Sequence, residues 1–339
     1  YLNALILDFK QNINLISNRK FNAVDFGGGT PSLFSPKLME KLMHEISPYC
    51  EENCEISMEA NPGTVSLETL KDYRSLGVNR ISLGVQSFDD RELKLLGRIH
   101  DSKAAIEACN NVIKAGFDNF NIDIMHGLPE QTTQKALADI KIAASLGCNH
   151  LSWYELTLEE DTYFGSHPPK LPNEDNLADI EEQGFVLLKE LGFNRYEVSG
   201  YTKDRRCQNN LNYWFFYDYF GIGAGAHSKI KIGDKTCRRG NPQDPSSYIE
   251  EVKNKKNNFF EVKKSDLPFE FMLNRLRVFD ETKYDEFENT TRLNFSTVKD
   301  KLEKAKGEGL LRFSDTGYAL TDKGRWMLNL SGNDYLGLA

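Results

Sequence analysis

Phe26-Gly27-Gly28-Gly29-Thr30-Pro31-Ser32 is the stretch on which the reading of this chain turns. It follows the apolar run Phe21, Ala23, Val24 and Phe26, which reads as a strand, and it precedes a helix-like segment from Pro36 to Ile46. Three successive glycines directly after a strand are costly, because glycine loses more backbone freedom on folding than any other residue. Either a tight turn or a closely approaching ligand therefore requires the missing side chains. The stretch alone leaves both readings open, and its neighbours in the chain favour the ligand.

Working outward, strand-like apolar runs at 21–26, 55–59, 80–85, 120–125, 150–156 and 195–199 alternate with helical patterns at 36–46, 66–76, 90–96, 102–115, 133–146 and 177–191. Such alternation implies parallel strands joined by helical crossovers that pack outside them. In these folds a ligand collects at the carboxyl ends of the strands. Five strand ends carry candidate groups: Gly27 to Thr30, Glu59-Ala60-Asn61, Gln86-Ser87, Asp123 with His126-Gly127, and Tyr154-Glu155. A chance glycine turn does not account for five.

The 339 residues suffice for one barrel-sized domain with an appendage. A formal charge of -8 argues against a general nucleic-acid binder, which presents a basic surface. No apolar run approaches a membrane span and no signal peptide opens the chain, so the expected location is the cytoplasm. Six scattered cysteines fit a reducing compartment with free thiols. Cys50 and Cys54 lie close, yet two thiolates do not close a metal site, and they read as loop thiols ahead of the strand at 55–59. Residues 1–16 read as a helix, and a chain that opens inside a helix is expected to continue upstream of Tyr1.

After Ser199 the pattern changes. Residues 207–228 are dense in aromatics and glycine and read as a loop or short sheet covering one end of the barrel; residues 229–260 read as a polar, solvated surface. The remainder suggests a winged-helix-like module, with helices at 269–279, 296–306 and 322–330 and a hairpin at 310–320. Its lysines 299, 301, 304 and 306 alternate with acids, as on a solvated helix, which speaks against binding nucleic acid. The expected division is 1–200, a partial barrel; 201–265, a cap and linker; and 266–339, the terminal module.

These motifs carry a resemblance. Phe26-Gly-Gly-Gly-Thr-Pro-Ser, Met58-Glu-Ala-Asn-Pro-Gly, Gly84-Val-Gln-Ser-Phe, Leu96-Gly-Arg-Ile-His, Asn121-Ile-Asp-Ile-Met-His-Gly-Leu-Pro and His150-Leu-Ser-Trp-Tyr, in that order, look like the radical S-adenosylmethionine enzymes related to oxygen-independent coproporphyrinogen III oxidase. Met125-His126 and Trp153-Tyr154 favour the haem chaperone branch of that family. The resemblance implies an α/β fold, a partial TIM-type (β/α)6 barrel with a small C-terminal winged-helix-like α+β module. Its implied cofactors are S-adenosylmethionine, a [4Fe-4S] cluster and haem. By motif position, Gly28, Gly29 and Thr30 would meet the methionyl part of the cofactor and Glu59 its charged groups, while Gln86, Arg98 and Asp123 would line the same cavity. For Arg98 and Asp123 a bracing ion pair is the alternative.

The family's three cluster cysteines fall before the position of Tyr1, so no metal ligand is expected in this chain. At Asn209 the resemblance leads one to expect histidine, and an amide is a poor iron ligand beside imidazole. The candidate haem residues are accordingly His227, His126, Asn209 and Tyr213. The expected function is a haem chaperone passing haem to an acceptor protein, with neither nucleic acid nor a membrane span involved. The alternatives are a radical oxidative decarboxylase of the coproporphyrinogen oxidase type and a winged-helix nucleic-acid binder.

Overall fold

The computed structural model describes residues 1–160, 162–255 and 258–330. The chain divides into two compact units: residues 22–43 with 52–206, and residues 1–21 with 44–51 and the described residues from Cys207 onward.

The first unit is built on a seven-stranded sheet: β1 (Phe21–Phe26), β2 (Cys50–Ala60), β3 (Arg80–Gln86), β4 (Phe120–His126), β5 (His150–Glu155), β6 (Asn194–Arg195) and β7 (Gly200–Thr202), in the order β1-β2-β3-β4-β5-β7-β6. β2 to β5 pair in parallel, with crossover helices at Leu67–Ser75, Ser102–Lys114 and Thr133–Ser145. Side chains alternate between the two faces of a strand. In β3, Ile81, Leu83 and Val85 are wholly buried, while Arg80, Ser82 and Gln86 point to the other face. Ile122 and Ile124 of β4 are likewise wholly buried, and Asn121 and Asp123 take the opposite face. The sheet thus keeps an apolar side for its helices and a polar side for a cavity. On the apolar side, Gly184 of the helix Glu174–Glu190 lies so close to the Trp153 ring that an added Cβ would come within 2.1 Å of it. Only a residue without a side chain fits that crossing.

The sixth parallel strand expected at 195–199 is replaced by two short strands, β6 and β7: β7 runs antiparallel to β5, and β6 pairs antiparallel with β7 at the sheet edge. Arg195 folds its guanidinium back onto the Val198 carbonyl, and the chain reverses there. The strand at 55–59 is longer than expected, and Cys50 and Cys54 are part of it, not of a preceding loop.

The second unit holds the helix Leu2–Asn12 because Asp8 of that helix is buried in a polar knot. Arg239 donates to Asp8 Oδ1 at 2.8 Å, the Tyr248 hydroxyl to Oδ2 at 2.9 Å, and Asn12 Nδ2 to Oδ1 at 2.9 Å. The expected loop at 207–228 contains the helix Gln208–Trp214, and the stretch read as a solvated surface holds the helix Pro245–Lys253 and most of a sheet of β8 (His227–Ile232), β9 (Lys235–Gly240) and β10 (Phe260–Glu261) in which Lys229, Thr236 and Arg239 are buried. Lys229 donates to the Phe216 carbonyl at 2.9 Å and stands over the Phe216 ring; buried cations are retained only with such partners.

The terminal module packs helices Leu267–Arg275, Tyr284–Thr291, Ser296–Gly307 and Asp322–Leu330 with a small sheet, β11 (Thr282–Lys283), β12 (Leu311–Phe313) and β13 (Gly317–Leu320). Phe271, Phe287, Leu302 and Tyr318 form the centre of its core. The helix at 284–291 and β11 add to the expected pattern. Residues 331–339 of the expected module lie outside the described residues.

Candidate functional site: an acidic cavity at the strand tips

The polar face of the sheet gathers three carboxyl groups, Asp25 and Glu59 near the carboxyl ends of β1 and β2 and Asp123 at the middle of β4. Asp25 of β1 accepts a short hydrogen bond from Ser57 of β2. Two residues further along β2, Glu59 receives the backbone N–H of Gly28, so the glycine turn folds over its carboxylate. A Cβ at Gly27 would lie 2.9 Å from Asp25 Oδ2 and 3.2 Å from Glu59 Oε1, which leaves glycine as the fitting residue between two carboxylates. Beside Gly28 and Gly29 the situation is the reverse: no atom lies within 4 Å of where a Cβ would be. The turn has an open face.

Asp123 accepts from Asn121 Nδ2 at 2.7 Å and Ser82 Oγ at 3.1 Å, and Ser152 also bonds to it. The neutral ring of His150 spans Asn121 Oδ1 at 2.7 Å and the Tyr196 hydroxyl at 2.9 Å; burial holds its pKa well below the usual value. Asn121 Oδ1 can only accept, so Nδ1 carries the proton and Nε2 accepts from Tyr196. A continuous network across β3, β4, β5 and the Tyr196 turn therefore fixes the Asp123 carboxylate.

Gln86 stands at a bulge in the β3–β4 pairing with a φ of 73°, a left-handed conformation rare outside glycine. The bulge re-aims its buried side chain, whose Oε1 accepts from the Tyr154 hydroxyl at 2.7 Å. Arg98 is exposed and lies within electrostatic range of Tyr154 and His100. Asp123 takes Ser82, Asn121 and Ser152 as hydrogen-bond partners instead of Arg98, so the bracing pair weighed from the sequence is absent.

The electrostatics follow from crowding. Burial first, then the charges of Asp25 and Asp123, push the Glu59 carboxyl up to about 7. Burial also raises Asp25 and Asp123, against their hydrogen bonds and the nearby Arg80. Like charges sharing a desolvated site hold protons until a cation replaces them. The open glycine face and this donor set suit a ligand carrying positive charge and an amino-acid moiety, and the residues fit S-adenosylmethionine in that sense.

Gly28, Glu59, Gln86 and Asp123 thus converge on one face of the sheet, with Gly29 on the same turn. Asp25, Ser57, Ser82, Asn121, His150 and Ser152 were not singled out from the sequence as site residues. Their signal was the alternation of polar with apolar residues along each strand.

The haem candidates lie elsewhere. His126 is buried on the helix side of the sheet, its ring 4.1 Å from that of Trp153 and held neutral by burial with a pKa near 3. In the second unit, Asn209 and Tyr213 sit one turn apart on the helix Gln208–Trp214, and Tyr213 meets the Tyr219 ring edge-on at 4.6 Å. His227 opens β8, exposed, with its ring against Gly240. Among the described residues no group of three or more His, Cys, Asp or Glu side chains is placed to hold a metal ion, and all six cysteines are free thiols. The residues present do not fit an iron-sulfur cluster.

The model of the radical SAM superfamily matches residues 6–142, and that of the HemN C-terminal domain matches residues 262–327. A Haemophilus influenzae protein named heme chaperone HemW is 42% identical over 97% of this chain and 86% of its own length. An Escherichia coli protein of the same name is 40% identical over 97% of this chain and 88% of its own length. Among solved structures, coproporphyrinogen III oxidase from Escherichia coli, described as a radical SAM enzyme, superposes with a TM-score of 0.79 over 96% of this chain and 80% of that chain. The identity is 23%, so this is a likeness of fold.

Proposed function

We infer the function from one premise: the chain belongs to the HemW haem chaperone family within the radical S-adenosylmethionine superfamily. It binds haem and hands it to an acceptor protein in the cytosol, and it uses S-adenosylmethionine at the acidic cavity. Gly28, Gly29 and Thr30 hold the methionyl moiety, Glu59 and Asp123 face its positive charge, and Gln86 and Arg98 complete the wall. When bound, the cofactor supplies a sulfonium with a reducible carbon–sulfur bond. The chain itself contributes binding and orientation: the Gly28 N–H positions Glu59, the network through Asn121 and His150 positions Asp123, and Tyr154 positions Gln86. No described cysteine holds a cluster, so no step is assigned to one here. The oxidase reading has behind it the likeness of fold and the HemN C-terminal domain match, whereas the relatives at 42% and 40% identity carry the chaperone name.

The observation that carries this reading is the open face of the glycine turn beside three crowded carboxyl groups. Gly29→Ala tests it, because the added methyl meets no protein atom within 4 Å. Folding stability should stay within about 0.5 kcal/mol of the wild type, while S-adenosylmethionine affinity, read by calorimetry, falls by about tenfold or more. Unchanged affinity would refute the placement of the methionyl group.

A further inference from the structure

Haem iron takes imidazole readily as an axial ligand, and the porphyrin around it wants an apolar or aromatic face. Of the six histidines, three are closed to a ligand. His100 is buried on the Val85 carbonyl at 3.0 Å, His150 has both nitrogens engaged, and His126 lies beneath Trp153. His44, His167 and His227 are exposed. His44 stands in the last turn of the helix Pro36–Ile46, and His227 faces the backbone of Gly240. His167 differs from both. Its ring stacks on that of Tyr163, centroids 4.8 Å apart and planes within 14°, and Tyr163 is itself 73% exposed. The Ser166 hydroxyl meets His167 Nδ1 at 3.0 Å, which leaves Nε2 as the open nitrogen.

The segment that bears this pair follows β5 and is tied to the cavity wall. Phe164, next to Tyr163, packs into a cluster with Met125, Leu128 and Leu156, and the same cluster includes Tyr154, the residue that holds Gln86. Leu96 packs there too, and three residues beyond it Ile99 is 96% exposed. An exposed aromatic, an exposed isoleucine and an open imidazole therefore rise from loops that follow strands of the sheet. Isolated exposed apolar side chains are ordinary, but a stacked Tyr–His pair with a free nitrogen is a ligand-ready arrangement. Lys170, three residues past His167, is also exposed.

We propose that His167 Nε2 is the axial ligand of haem iron in this protein and that Tyr163 orients its ring. This inference rests on the haem-binding reading above and adds the place of binding. The coordination is simple: the neutral imidazole gives the Nε2 lone pair to the iron, and Nδ1–H keeps its bond to Ser166.

Ferric haem titrated into the full chain, followed by the Soret band and by electron paramagnetic resonance, tests it with His167→Ala, Tyr163→Ala, His227→Ala and His44→Ala. His167→Ala should remove the imidazole-ligated spectrum and weaken affinity by about tenfold or more. Tyr163→Ala should weaken it less and broaden the spectrum, and His44→Ala should match the wild type. All four sites are exposed, so the variants fold. Free imidazole added to His167→Gly should restore the ligated spectrum. A His167→Ala titration that superimposes on the wild type, or loss of ligation in His227→Ala alone, overturns the assignment and leaves the haem chaperone reading standing. A wild-type chain that gives no Soret shift overturns both.

Discussion

Glu59 offers the sharpest test of the cavity, because its carboxyl is held near neutrality by causes that can be removed. Burial and the charges of Asp25 and Asp123 move it from 4.5 to about 7. The folded-state value lies above the unfolded one, so the native chain holds this proton more tightly. Its contribution to stability is full below about pH 4.5 and is lost as pH rises through about 7. Taken at face value the shift amounts to about 3 kcal/mol. The burial of Glu59 is only partial, its side chain keeping contact with solvent, and screening reduces the figure to about 1 kcal/mol. Glu59→Gln should therefore stabilise the ligand-free chain by about that amount at pH 8, and hardly at all at pH 5.

Binding of a cationic ligand carries the opposite sign. A sulfonium or ammonium group favours the ionised carboxylate, so apparent affinity follows the ionised fraction, which goes from about one tenth at pH 6 to about one half at pH 7. Calorimetric titration with S-adenosylmethionine should accordingly show affinity rising about fivefold over that interval, below the range where the ligand's own amino group titrates. Glu59→Gln should bind weakly and without that rise. Equal pH dependence in the two proteins, or none in either, would refute the electrostatic reasoning.

Two further outcomes test the scaffold. Gly184→Ala drives a methyl into the Trp153 ring, within 2.1 Å of its edge, and should cost about 1–3 kcal/mol in urea denaturation; an unchanged midpoint would mean that the helix Glu174–Glu190 adjusts freely. Arg239→Ala strands the Asp8 carboxylate, 1% exposed, without its ion-pair partner, and should cost about 3–5 kcal/mol by the same measurement; a loss under about 1 kcal/mol would show that Tyr248 and Asn12 suffice.

Much of the first unit could be read ahead of the coordinates because its strands leave a local signal. Buried parallel strands are short apolar runs, and the turns after them carry glycine and polar residues for the site. Direction of pairing leaves no such trace. Tyr196 to Ser199 looks like one more buried run, and only the reversal at Arg195 and Val198 reveals that the chain comes back antiparallel. Arg239 looked solvated because the aspartate that buries it lies far away in the chain. The helix Tyr284–Thr291 offers few apolar residues beyond Tyr284 and Phe287, too few for a clear period. Within the site, motif residues such as Glu59 and Asp123 were legible. Ser57, which bonds Asp25, and Ser82 and Asn121, which bond Asp123, are ordinary polar residues whose meaning comes from what faces them across the sheet.

The bond between Asp8 and Arg239 spans 231 positions of sequence, and that separation imposes a schedule on biogenesis. At about 5–20 residues per second the ribosome releases residues 2–12 roughly 10 to 50 s before Arg239 exists. Throughout that interval the apolar side of the segment, with Leu5 and Phe9, has no finished surface to rest on. The ion pair that buries Asp8 can close only once Arg239 has been made, so the helix Leu2–Asn12 has to wait for it.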